Sequence, residues 1–136
     1  GKRRQREQPQ ERPNLGTATR IYNYLHTYMQ DLDVEEAWVL LMNQNFRLIK
    51  SVRLSHGGIS ETAVDVRLII KEAVLCNATI VALAHNHPSG SLRPSADDDR
   101  LTERVKKACD LMRIHFQDHL IITDGNYYSY HEQGRV

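Results

Sequence analysis

The stretch ALAHNHPSGSLRPSADDD, residues 82–99, places His85 and His87 one residue apart and follows them with Ser95 and Asp98. Side chains at i and i+2 on a strand point to the same side. A strand running into this stretch therefore aims both imidazoles at one point, and Pro88 fixes the chain just beyond them. An aspartate in the first turn of a following helix projects its carboxylate back toward the strand end. Two histidines and one aspartate leave a tetrahedral zinc with an open fourth position, the arrangement of catalytic rather than structural sites. Such a zinc brings a water to a pKa of about 7 and supplies hydroxide at neutral pH.

The same residues also meet a plainer need. Ser95-x-x-Asp98 is a helix N-cap with an acid at N3, and Asp97 to Asp99 suit the positive end of a helix dipole. The two readings are compatible, because capping fixes the geometry that ligation requires. Two other readings of the letters fail. An HNH nuclease takes its three residues from separate parts of a ββα-metal unit, not from consecutive positions. A zinc deaminase needs His-x-Glu with a later Pro-Cys-x-x-Cys, which the isolated Cys76 and Cys109 cannot supply.

These side chains need elements to hold them. Residues 78–84, ATIVALA, read as a buried strand that delivers His85. A loop over 86–94, with Pro88, Gly90 and Pro94, leads to a long helix from Ser95 whose inner stripe is Leu101, Val105, Ala108 and Met112. Upstream, Thr17 or Thr19 caps a helix reaching about Leu32, with Ile21, Tyr24, Leu25 and Tyr28 at helical spacing. The apolar run 37–42 suits a strand buried on both faces. A turn at Asn43–Asn45 and the alternating segment 47–54 complete a hairpin. Between Asp65 and Asn77 the residues Val66, Ile69, Ile70, Ala73 and Val74 form one helical face. A strand within 114–123 turns at Asp124–Asn126 into Tyr127–Tyr130. Helices interleaved with strands, with an early and a late hairpin, predict an α/β class with a mixed sheet.

With 136 residues, 40% of them hydrophobic, the chain holds one core rather than two. No apolar run approaches the roughly 18 residues of a membrane helix, and the polar N-terminus does not read as a signal peptide. The expectation is a cytoplasmic domain without a membrane partner and without a disulfide framework. Net charge is +1, but residues 1–13 carry Lys2, Arg3, Arg4, Arg6 and Arg12 against Glu7 and Glu11, or +3, leaving −2 for the remainder. Residues 1–16 read as a basic, disordered tail or linker, and 17–136 as the domain. The tail (residues 1–13) offers a weak nucleic-acid contact through counterion release; the folded part is not basic.

His85-x-His87-Pro88, six residues, then Ser95-x-x-Asp98 matches the JAMM motif of JAB/MPN-domain metalloproteases. The wider run from Asn77 to Tyr130 resembles the RadC family of bacterial proteins, including His119 in its Asp-His pair. The likeness reaches back through AWVLLMNQNFRLI and covers about residues 17–134. It implies helices around a curved, mostly antiparallel sheet of the cytidine-deaminase-like, JAB/MPN kind, and a zinc held by His85, His87 and Asp98. It also implies a glutamate general base just before the first strand. RadC-like spacing points to Glu35, three residues before Trp38, with Glu36 as fallback; one strand residue turns the latter to the opposite face. Ser95 would donate a hydrogen bond to an oxyanion, an effect typically worth about 2.7–4 kcal/mol in a preformed site. His119 has no role in the motif and reads as structural, behind a ligand.

The implied activity is zinc-dependent hydrolysis of an amide, peptide or isopeptide in a protein or small molecule. Two alternatives stand beside it: a non-catalytic MPN-type binding module, and a DNA-repair-associated protein working through the basic arm. The intact ligand set weighs against the first, and the charge of the folded part against the second.

Overall fold

The computed structural model describes residues 12–56 and 64–136. Among the described residues, three helices and a five-stranded sheet follow in the order α1 (Ala18–Met29), β1 (Glu36–Met42), β2 (Leu48–His56), α2 (Val66–Leu75), β3 (Ile80–Asn86), α3 (Ala96–Leu111), β4 (His115–Ile122) and β5 (Tyr127–Ser129). The spatial order is β2-β1-β3-β4-β5. Only β3 and β4 run parallel, joined over α3; the other three pairs are antiparallel. The early and late hairpins stand where the turn signals put them. Asn43 Oδ1 closes the first by accepting from the backbone of Asn45 and Arg47, while Phe46 takes the left-handed conformation at φ 61°.

Strand alternation sorts the core into two layers. Ala37, Val39, Leu41, Val81 and Leu83 face α2 and α3, where Ile69, Ala73, Leu101, Val105 and Cys109 complete one apolar cluster. Leu40, Met42, Ile80, Ala82, Ala84 and Leu120 face α1 and meet Ile21, Leu25 and Met29. Because β1 and β3 are covered on both faces, they read as continuous apolar runs. Cys76 and Cys109 are free thiols, and burial pushes the Cys109 thiol up to about 11.

Three helical faces sit differently from the spacing reading. In α1 the buried residues are Ala18, Ile21, Leu25 and Met29, whereas Tyr28 is 58% exposed. In α2 Val74 is 53% exposed, and in α3 Met112 is 48% exposed. Helix α3 buries Thr102 and Cys109 beside Leu101 and Val105. The packed chain also starts before Thr17. Leu15 is buried in the α1-side cluster, its amide donates to Phe46 O at 2.8 Å, and Asn14 bridges Arg47. Residues 1–11, which hold four of the five basic residues of the arm, lie outside the described residues; the Arg12 carbonyl accepts from Arg47 Nη1 at 3.0 Å. Among the described residues no helix is long and apolar enough to cross a membrane.

Candidate metal centre

The C-terminal end of β3 and the residue after it carry the first two candidate ligands. His85 shares the α3-facing side with Val81 and Leu83, and His87 follows on the same side one residue past the strand. The main chain there is tied to β4 by the His87 amide, which donates to Ile122 O at 3.0 Å. Helix α3 starts opposite this point. Its capping box is complete: Ser95 Oγ accepts from the Asp98 amide at 3.0 Å, and Asp98 Oδ2 accepts from the Ser95 amide at 2.8 Å. Capping and candidate ligation thus use the same aspartate.

The three side chains converge. His85 Nε2 lies 3.2 Å from Asp98 Oδ1, and His87 Nε2 lies 3.3 Å from Asp98 Oδ2. The two Nε2 atoms are 3.0 Å apart. Donor spacings of this size match the edges of about 3.3 Å of a tetrahedron with bonds of about 2.0–2.1 Å to a central ion. The outer nitrogens add a second test. His87 Nδ1 lies 2.8 Å from the Ser91 carbonyl, which can only accept, so in the neutral ring Nδ1 carries the proton and Nε2 keeps a lone pair. With His85 Nε2 and the Asp98 carboxylate facing the same point, the arrangement suits a cation between them. The donor set therefore fits a metal ion, and His85, His87 and Asp98 form such a cluster.

Electrostatics follow from burial and proximity. Burial alone would push the Asp98 carboxyl up, but its contacts with the His85 and His87 rings and the Ser95 amide outweigh burial and hold the group far below the carboxylate range. The Asp98 carboxylate raises His87 above its ordinary value against the opposing effect of burial, with smaller help from Ser91 and Glu35. His85 is fully buried and the Asp98 side chain is 3% exposed, while that of His87 is 11% exposed. One flank of the cluster is thus open. It gives onto a cleft of about 230 Å³ lined by Glu35, His87, Ser91, Arg93, Ser95 and Asp98.

The two candidate bases part company here. Extending the pairing of Ala37 with His85 by two residues sets Glu35 opposite His87, and Glu35 lines the cleft. Glu36 points to the other face, where its carboxylate accepts from Trp38 Nε1 at 3.1 Å and meets Arg53 Nη1 at 3.4 Å. Asn86 clamps the Glu35 peptide from both sides. Its Oδ1 accepts from the Glu36 amide at 2.6 Å, and its Nδ2 donates to Val34 O at 2.9 Å. Ser95 Oγ accepts from the Asp98 amide, which leaves its own proton for an acceptor in the cleft.

Behind His85 stands His119 of β4, buried at 1% exposure. Its Nε2 lies 2.8 Å from His85 Nδ1, and its Nδ1 lies 2.6 Å from Thr102 Oγ1. Burial, reinforced by nearby His85, holds His119 well below the usual imidazole value. The neighbouring Asp118 carboxylate accepts from Ser129 Oγ and from the His119 and His131 amides, yet burial still raises it. Thr102 and the Asn86 clamp were not anticipated from sequence. Neither belongs to a spacing pattern, and only the fold gives either a partner.

A three-layer domain with an open mixed sheet and a His-His-Asp cluster at the strand ends defines the JAB class. The chain matches the RadC-like JAB domain family over residues 15–135 and belongs to it. It is 46% identical over 124 residues to a UPF0758 protein of Porphyromonas gingivalis, covering 90% of this chain and 55% of the relative. A UPF0758 protein of Flavobacterium johnsoniae is 37% identical over 98% of this chain and 58% of its own length. One of Histophilus somni is 45% identical over 83% of this chain and 51% of its own. The chain spans about half the length of these relatives.

Proposed function

We propose that this chain is a zinc-dependent metallohydrolase domain of the peptidase or isopeptidase type. The observation that carries the reading is the convergence of His85 Nε2, His87 Nε2 and the Asp98 carboxylate within 3.0–3.3 Å of one another, beside a cleft that Glu35 lines. His85, His87 and Asp98 would hold the ion, and the exposed edge of the cluster supports an open position toward the cleft. A zinc bound there would act as a Lewis acid and make water a nucleophile near neutral pH. Glu35 takes a proton from the attacking water on its carboxylate and returns it to the leaving amine. Ser95 offers its hydroxyl proton to the oxygen on which negative charge develops. Arg93 lines the same cleft. The substrate is an amide in a protein or a small molecule.

Metal content per chain tests the first half. About one zinc is expected in the parent protein, lost in His87→Ala and Asp98→Ala. Uptake that survives both substitutions overturns the ligand assignment. Glu35→Gln tests the second half on a panel of peptide and isopeptide substrates: zinc is retained, and hydrolysis falls about 10²–10⁴-fold. Full hydrolysis by Glu35→Gln overturns its role.

A further inference from the structure

The hydrogen bonds behind His85 have a direction. Thr102 Oγ1 donates its single proton to the Asp98 main-chain carbonyl at 2.7 Å, an atom that can only accept. The same oxygen lies 2.6 Å from His119 Nδ1. The proton of that contact therefore belongs to the imidazole, and His119 Nε2 keeps a lone pair. Facing it at 2.8 Å is His85 Nδ1, which must then be the donor. His85 Nε2, on the far side of the same ring, is left with its lone pair aimed at Asp98 and His87. The relay begins on the main chain of one candidate ligand and ends on the ring of another.

We infer that His119, aligned by Thr102, is a positioning residue that fixes the tautomer of His85 and thereby sets the metal affinity of the cluster. The inference rests on the metal-binding reading above. Its consequence is best seen by reversing the relay. With a proton on Nε2, His119 would donate to His85 Nδ1, and the His85 proton would move to Nε2, between Asp98 and His87 where the ion belongs. The Thr102–Asp98 bond opposes that reversal.

The surroundings hold the relay still. Tyr130 stacks on the His119 ring with centroids 5.1 Å apart and planes at 7°. Its hydroxyl donates to Asp99 Oδ1 at 2.7 Å, and the Arg135 guanidinium lies 4.7 Å from the Tyr130 centroid. His119 is too buried for solvent to replace either of its partners. A nearly isosteric change at Thr102 therefore removes the directing hydroxyl while keeping ring, packing and all three candidate ligands.

The experiment compares the parent chain with Thr102→Val and Thr102→Ser, using the zinc ion alone as probe in competition with a chromogenic chelator. Thr102→Val is expected to bind about 10–100-fold more weakly, and Thr102→Ser to restore parental affinity. The second readout is imidazole nitrogen-15 shifts of the metal-free chains at mildly alkaline pH. In the parent and in Thr102→Ser, His85 and His119 should both carry the proton on Nδ1; in Thr102→Val the Nε2–H form of His85 should appear. Unchanged affinity in Thr102→Val, or an Nε2–H form of His119 in the parent, overturns the inference. A parent that binds no zinc overturns the metal reading instead, and its nitrogen shifts still decide the relay.

Discussion

Glu36 is held by the Trp38 indole and by Arg53 on β2, on the face of the sheet that packs against α1. Glu35, one residue earlier, lines the cleft beside His87. Glu36→Gln should therefore cost about 1 kcal/mol of folding stability through the weakened Arg53 contact and leave zinc uptake unchanged. Chemical denaturation and metal content read the two effects separately, and loss of zinc in Glu36→Gln would place the site on the wrong face. A second prediction concerns pH. A histidine ligates only when neutral, so a proton on His87 competes with the ion. Because Asp98 raises His87 above its ordinary value, that proton is retained to a higher pH than an isolated imidazole would keep it. Zinc affinity should begin to fall already above about pH 6.5, the ordinary histidine value, as the solution is acidified. Affinity measured by chelator competition across pH checks this; a curve flat down to pH 6 would contradict it.

Asn86 joins two elements: it sits at the end of β3 and bonds the main chain on both sides of Glu35 at the start of β1. Asn86→Leu would strand the buried Glu36 amide, at a cost of about 1–3 kcal/mol, and break the bond to the Val34 carbonyl. The loss should appear in urea unfolding, together with faster hydrogen exchange at the Glu36 amide; an unchanged midpoint would show the clamp to be dispensable. What could be read from the chain follows the same division between local and distant. His85 and His87 were legible because strand parity is a local rule, and Ser95 with Asp98 because helix capping is another. The preference for Glu35 over Glu36 comes from the family spacing to Trp38; strand alternation adds only that the two carboxylates face opposite sides. Thr102 reads as an ordinary helix residue until β4 is set beside β3 and brings His119 under α3. The helical stripes erred for a related reason. Tyr28 and Met112 have the spacing of inner residues, but the sheet accepts Met29 in α1 and Cys109 in α3, so rotation about each helix axis was decided by the surface it meets.

For the molecule as a whole, the cluster brings the end of β3 to the first turn of α3, two segments otherwise joined by the loop 87–95. The unfolded chain cannot hold His85, His87 and Asp98 together, so zinc held by them would bind the native state and stabilise it by mass action. Free zinc at about 100 times its dissociation constant adds about 2.7 kcal/mol. For a domain of this size that is a rise in Tm on the order of 10 °C. Asp98→Ala should melt at the same temperature with and without zinc, and a chelator should return the parent protein to its metal-free value. The gain should also be local before it is global. Amide exchange should slow first at residues 87–98, whose backbone the ion restrains. The α1 face, separated from the site by the whole thickness of the sheet, should slow only through the rise in global stability. Equal slowing everywhere would mean that β3 and α3 already unfold only with the entire domain; no slowing at 87–98 would mean that zinc binds elsewhere.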